Sequence, residues 1–231
     1  MATVEICALV HLTDPDPAPN VSPPEETMTE RQFLDTAYGL DDMDKTRSFY
    51  DDWAATYDAE IERNGYATPR RCAEALAQHA DLTAPLLDLG CGTGLSGIAL
   101  RAAGFTTVDG AEPSAEMRSR AEACGAYRAI HAIEPEDPLP FEPGAYANVV
   151  AAGVISPGHA PPEAMDKALA ILPPGGCLVF SLNDHALEEA PYPDRAAALV
   201  SDGVADLLHR EHGPHLPGIG LESTIYVLKK R

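Results

Sequence analysis

The chain is poor in basic residues, in aromatic residues and in closely spaced cysteines, and each shortage excludes something. Over 231 residues, 16 Lys and Arg stand against 36 Asp and Glu, a formal net charge of -20. A field of that sign repels phosphate backbones, so nucleic acid is disfavoured as a partner. It tolerates a small neutral or cationic amine, thiol or phenol, or a basic protein, although net charge speaks first to solubility. The five cysteines, Cys7, Cys72, Cys91, Cys124 and Cys177, are scattered and odd in number, with no pair at metal or redox spacing, which reads as reduced thiols. No apolar run is long enough to span a bilayer, and Met1 to Val10 lacks the basic start of a secretory signal. The expectation is a cytoplasmic protein without a membrane partner, with a monomer as its simplest state.

What is present suits one α/β domain: 45% hydrophobic residues is ample for a central core. The most informative stretch runs from Leu86 to Gly94, Leu-Leu-Asp-Leu-Gly-Cys-Gly-Thr-Gly. An apolar run bounded by breakers reads as a buried strand from Pro85 to Leu89, and the alanine-rich Leu95 to Ala103 has helical spacing. The glycines therefore sit at a strand-to-helix turn, where glycine reaches backbone angles closed to other residues and lets a ligand approach the main chain. Gly92 to Gly97 also fits the G-x-G-x-x-G fingerprint of dinucleotide enzymes, a weak match that leaves an NAD-dependent oxidoreductase open. Phe105 to Ala111 reads as a second strand closed by Glu112, about 20 residues beyond the turn, where an acid for ribose hydroxyls is expected. Ser114 is placed to cap a helix running to Cys124. Ala126 to Ala132, Ala145 to Val154 and the segment after Leu172 to Gly176 read as strands three to five. Asp194 to Val200 reads as a helix after a turn through Pro191 to Pro193. Val204 to Glu211 and Glu222 to Lys230 read as a final hairpin joined by Gly213 to Gly220.

The string Asp88-Leu89-Gly90-Cys91-Gly92-Thr93-Gly94 resembles the first motif of the class I S-adenosylmethionine-dependent methyltransferases. Phe49 to Asp58, and Gly153 to Ala164 after strand four, narrow the likeness to the small methyltransferases related to the Williams-Beuren syndrome region protein. The resemblance implies a Rossmann-like three-layer sandwich. Its seven-stranded sheet is mostly parallel with an antiparallel last strand, under an N-terminal helical lid. It divides the chain into a proline-rich tail (1–28), a helical cap (29–82) and a methyltransferase core (83–231). It also implies the cofactor S-adenosylmethionine, with S-adenosylhomocysteine as product. The cofactor contacts it assigns are Tyr57, Asp88, Gly90, Cys91, Gly92, Gly94, Glu112, Met117, Glu134 and Gly153. Glu134 is the closest match to the adenine-recognising place, with Glu136 and Asp137 as alternatives, and Tyr57 ends the lid helix that carries Trp53. Tyr146-Ala147 and Pro173-Pro174 depart from the usual family pattern without removing an expected cofactor contact.

Methyl transfer from a sulfonium needs an in-line acceptor in a dry pocket, so proximity and desolvation do much of the work. If a base assists, His159 on the loop after strand four is the best placed, with His185 second. His209, His212 and His215 have a suggestive spacing, but a separation of three on a strand puts neighbours on opposite faces, so no metal site is assigned. Thr68-Pro69 reads as the N-cap and first turn of a helix to about His79. The reading is a methyltransferase acting on a small-molecule acceptor, with a non-catalytic cofactor-binding protein as a further alternative.

Overall fold

The structure is a computed structural model that describes residues 58–231. The expected tail, the lid helix with Trp53, and Tyr57 lie outside the described residues. Helical residues 58–63 lead into α1 (Thr68–Ala77), followed by β1 (Leu86–Leu89), α2 (Leu95–Ala102), β2 (Val108–Glu112), α3 (Ala115–Cys124), β3 (Ile130–Ala132), β4 (Asn148–Ala151), α4 (Ala164–Ile171), β5 (Cys177–Asn183), α5 (Asp184–Glu188), α6 (Pro191–Ser201), β6 (Ala205–Leu216) and β7 (Leu221–Lys230).

The strands form one seven-stranded sheet in the order β3-β2-β1-β4-β5-β7-β6. The first five run parallel and β7 runs antiparallel between β5 and β6. Every residue of β1, β2, β4 and β5 is buried, as expected where helices cover both faces of a parallel sheet. One face packs Cys72 and Leu76 of α1 and Leu100 of α2 against Val150, Val179 and Val227. The other packs Met165 and Leu169 of α4 and Leu199 of α6 against Val149, Phe180 and Leu228. α1, which falls inside the expected cap, is thus part of a helix layer on the sheet.

Because the chain moves outward from β1 to β2 and β3 and then returns to the other side of β1 at β4, the order reverses between β1 and β4. A crevice opens at the carboxyl ends of the strands at such a reversal. Here the turns after β1 and β4 are packed tightly. A Cβ on Gly90 would lie 2.6 Å from a methyl of Val154, and one on Gly153 would lie 2.1 Å from the Tyr66 hydroxyl.

Several boundaries differ from the sequence reading. β2, β3 and β4 are shorter than expected because only their inner residues pair with neighbours; Phe105 is buried ahead of β2 as loop. Thr68 is the first residue of α1 rather than its cap. Its hydroxyl is spent 2.7 Å from His215 Nδ1 and 3.1 Å from Ser223 Oγ. Pro191 and Pro193 lie inside the first turn of α6, where a missing N–H costs nothing, so the expected turn is the helix start. Gly213 to Leu216 belongs to β6, which absorbs its proline through register shifts at Leu207/His209 and Pro214/Leu216.

Candidate cofactor site

The site begins with the backbone of the β1–α2 turn. Gly90, Gly92 and Gly94 all have positive φ (69°, 54° and 104°), so the turn is closed to other side chains without strain. Gly92 faces the cleft: a Cβ there would meet no atom of the described residues within 4 Å. Gly94 serves packing instead, since a Cβ there would strike Cys124 Sγ at 2.6 Å and the backbone of Ala121 at 3.3 Å.

Two buried carboxylates flank this turn. Asp88, fully buried in β1, accepts on Oδ2 from the Ser96 hydroxyl and from the Tyr127 hydroxyl at 2.7 Å. Its Oδ1 has no hydrogen-bond partner among the described residues. Burial raises its carboxyl to about 6, against those two hydrogen bonds. Glu112 ends β2 and accepts the Gly92 N–H on Oε2 and the Ser114 N–H on Oε1, each at 3.0 Å. Burial again dominates and pushes it up to about 7. Ser114 caps α3 by accepting from Met117 N at 3.1 Å, which fixes the Met117 side chain, 2% exposed, at the cleft.

The cleft encloses about 1170 Å³ of non-atom space, open solvent at its mouth included. Gly90, Gly92, Glu112, Met117, Glu134, Gly153 and His159 line it together, although they come from four separate stretches of chain. Asp88, Cys91 and Gly94 do not. Asp88 lies beneath the turn, Gly94 packs on α3, and Cys91 turns its sulfur toward β2, where a Cβ on Gly110 would lie 2.8 Å from it. Burial and the nearby carboxylates raise the Cys91 thiol, the opposite of what a nucleophile needs.

On the β4 side, His159 Nδ1 lies 3.2 Å from the Pro157 carbonyl and 3.0 Å from Ser156 Oγ. The carbonyl contact requires the proton on Nδ1, whereas the Ser156 contact is made with either tautomer. Crowding by protein lowers the basicity of this ring. His185 sits in α5 and does not line the cleft. The three later histidines are separated: His209 faces Glu211, His212 faces Thr224 and Glu222, and His215 turns inward to Thr68. Among the described residues no group of His, Cys, Asp or Glu could hold a metal ion. Nor is any helix there long and apolar enough to cross a membrane.

The structure also adds residues the sequence did not point to. Tyr66 lines the cleft and meets His215 edge to face at 5.2 Å. Lys167 on α4 reaches back to the carbonyls of Pro135 (2.5 Å) and Asp137 (3.0 Å), tying down the loop that carries Glu134. Tyr127 locks the turn by accepting from Gly97 N at 2.9 Å while donating to Asp88. None has a local sequence signal, since each acts across at least 30 residues. Thr93 donates to Asp58 at 2.5 Å, so the described end of the Phe49 to Asp58 stretch touches the glycine turn.

This geometry suits a cofactor with a ribose and a cationic amino acid end. A cradle that a Cβ would fill adjoins a carboxylate held on two amides, and a second buried carboxylate keeps an unshared oxygen. The methyltransferase domain family matches residues 61–219, and the chain belongs to that family, in the class I group that uses S-adenosylmethionine. It is 34% identical over 167 residues to human methyltransferase-like protein 27, an alignment that covers 68% of this chain. The chain spans 66% of that relative's length, just under two thirds. Two solved structures share the fold. A Thermotoga maritima protein, described as an S-adenosylmethionine-dependent methyltransferase and possible histamine N-methyltransferase, superposes with TM-score 0.59 at 16% identity, over 80% of this chain and 100% of its own. The Burkholderia thailandensis 1,6-didemethyltoxoflavin N1-methyltransferase gives 0.56 at 20% identity, over 95% and 98%.

Proposed function

We propose that this chain transfers a methyl group from S-adenosylmethionine to a small-molecule acceptor. The observation that carries this reading is the convergence of the Gly92 cradle, the amide-bound Glu112 carboxylate and the Gly153 turn on one cleft at the sheet's reversal point. Glu112 receives the ribose hydroxyls on lone pairs left by its two amide contacts. The Gly90 and Gly92 backbone borders the amino acid end, with the unshared Asp88 oxygen beneath it. Met117 and Leu139 would flank the adenine, and Glu134 at the rim would take its amino group.

When bound, S-adenosylmethionine supplies an electrophilic methyl carbon on a sulfonium. The protein's part is to hold, orient and keep dry. The β4 side of the cleft is apolar through Val154, Ala160 and Pro161, which excludes water from the reacting atoms. His159, on the β4 wall of the cleft, is the group that receives a proton from an acceptor N–H or O–H. A small acceptor follows from an enclosed cleft in an acidic chain, a poor surface for a polyanion.

The test is a transfer assay with methyl-labelled S-adenosylmethionine against pooled small amines, phenols and thiols, with a basic peptide and an RNA in parallel. Label in the small-molecule fraction is expected. Label confined to the peptide or the RNA would contradict the reading.

A further inference from the structure

The charged and uncharged groups of the cleft are segregated. Its ionisable acids and its one lysine, Glu112, Glu134 and Lys167, all act at the β2–β3 end: Glu112 closes β2, Glu134 follows β3, and the Lys167 ammonium is bound to two carbonyls of the loop after β3. The wall at the carboxyl end of β4 is different. Tyr66, Gly153, Val154, His159, Ala160 and Pro161 form it, and among the described residues it contains no Asp, Glu, Lys or Arg.

The groups behind this wall are also spent. Tyr66 packs edge-on against His215, which is held by Thr68, and Thr68 is held by Ser223. Arg71, the buried cation of this cluster, gives its donors to the carbonyls of Pro214, Ser223 and Glu211 and to Ser223 Oγ. His215 is lowered to about 4, first by burial, and burial also lowers His159, so both imidazoles are neutral at physiological pH.

We propose that the acceptor seated against this wall is an uncharged, largely apolar molecule that presents one N–H or O–H, and that the wall selects against both anionic and cationic analogues. This rests on the reading that the β1–β3 half of the cleft holds the cofactor. Among the described residues, a carboxylate or phosphate placed there meets no cation of the wall and sits in a net-acidic protein, and a quaternary ammonium meets no carboxylate of the wall. A charge taken out of water without a partner is strongly disfavoured, whereas an apolar ring with a single donor loses little.

The test uses three probes that share one ring: indole, indole-3-acetate and the quaternary N,N,N-trimethyltryptammonium. Each is titrated by calorimetry into the full chain saturated with S-adenosylhomocysteine. Indole should bind at least about tenfold tighter than either charged probe, the scale of an uncompensated charge in a partly dry site. Placing a cation in the wall by Ala160→Lys should then improve indole-3-acetate by about tenfold and leave the quaternary probe weak. Pro161→Lys, at an exposed position of the same wall, serves if Ala160→Lys does not fold. Equal or tighter binding of a charged probe by the wild type, binding of none of the three, or no gain for the anion in the lysine variants overturns the proposal. Failure of S-adenosylhomocysteine itself to bind in the first titration would instead refute the cofactor reading on which the proposal stands.

Discussion

Two regions of this molecule bury polar groups in comparable number and for opposite ends. At the junction of α1 with the β6–β7 hairpin, Arg71, Thr68, His215 and Ser223 satisfy one another and the carbonyls of Glu211, Pro214 and Ser223. At the β1–α2 turn, Asp88 keeps an unshared oxygen, and both Asp88 and Glu112 are pushed well above the usual carboxylate range. The first region is closed, as a scaffold has to be. The second holds two high-energy acids next to a cradle that no described residue fills, and that imbalance marks the place where a ligand completes the structure.

If this contrast is right, damage to the closed region should appear in stability alone, and damage to the open region should appear in cofactor binding as well. Arg71→Met should have the largest effect. It strands the buried Ser223 carbonyl, at about 1 to 3 kcal/mol for a buried unsatisfied group, while the part-buried carbonyls of Pro214 and Glu211 add less, so the expected loss is about 3 kcal/mol in urea denaturation. The folded fraction should still bind S-adenosylhomocysteine with little change. Gly97→Ala is next, because its Cβ would lie 2.3 Å from the Tyr127 ring; overpacking of that kind costs about 1 to 3 kcal/mol and should displace the hydroxyl that holds Asp88. Tyr127→Phe removes that hydroxyl alone, with an expected loss of about 1 to 2 kcal/mol in the same denaturation measurement.

The smallest effect is on pH dependence. The folded state holds the Glu112 proton up to about 7 against an ordinary value of 4.5, so the stability linked to this group is complete below pH 4.5 and is lost as pH rises through 7. Asp88, raised from 3.8 to about 6, acts in the same direction at lower pH. Subtracting the melting curve of Glu112→Gln from that of the wild type between pH 5 and 8 should therefore show a difference that declines with pH. A difference that grows with pH would mean that Glu112 is held charged in the free protein.

The two regions were also unequally legible in the sequence. The glycine turn could be read because its demands are local: three glycines at positive φ, the strand before them and the Ser114 cap after Glu112 all lie within 30 residues. The seven-stranded sheet with its antiparallel last strand followed from the resemblance that this run of elements carries. Which members of the motif face the cleft could not be read, because Asp88, Cys91 and Gly94 share its spacing yet point below it or into α3. Tyr66, Lys167 and Tyr127 gave no signal, since each meets its partners only once the sheet is assembled. The hairpin misled for a related reason. Gly213 and Pro214 look like loop, but they pair across to Ser223 and Glu222, with Arg71 filling the space a side chain at Gly213 would need.

The central claim, that the cleft beside Glu112 is the S-adenosylmethionine site, is tested most directly by titrating S-adenosylhomocysteine into the wild type and into Glu112→Ala. The wild type should bind it, and NAD should not bind. The variant should be weaker by about 1.5 to 3 kcal/mol, the range for hydrogen bonds to a charged group, which is roughly 10- to 150-fold in affinity. Unchanged affinity in a folded Glu112→Ala protein, or binding of NAD in preference to S-adenosylhomocysteine, would contradict the account.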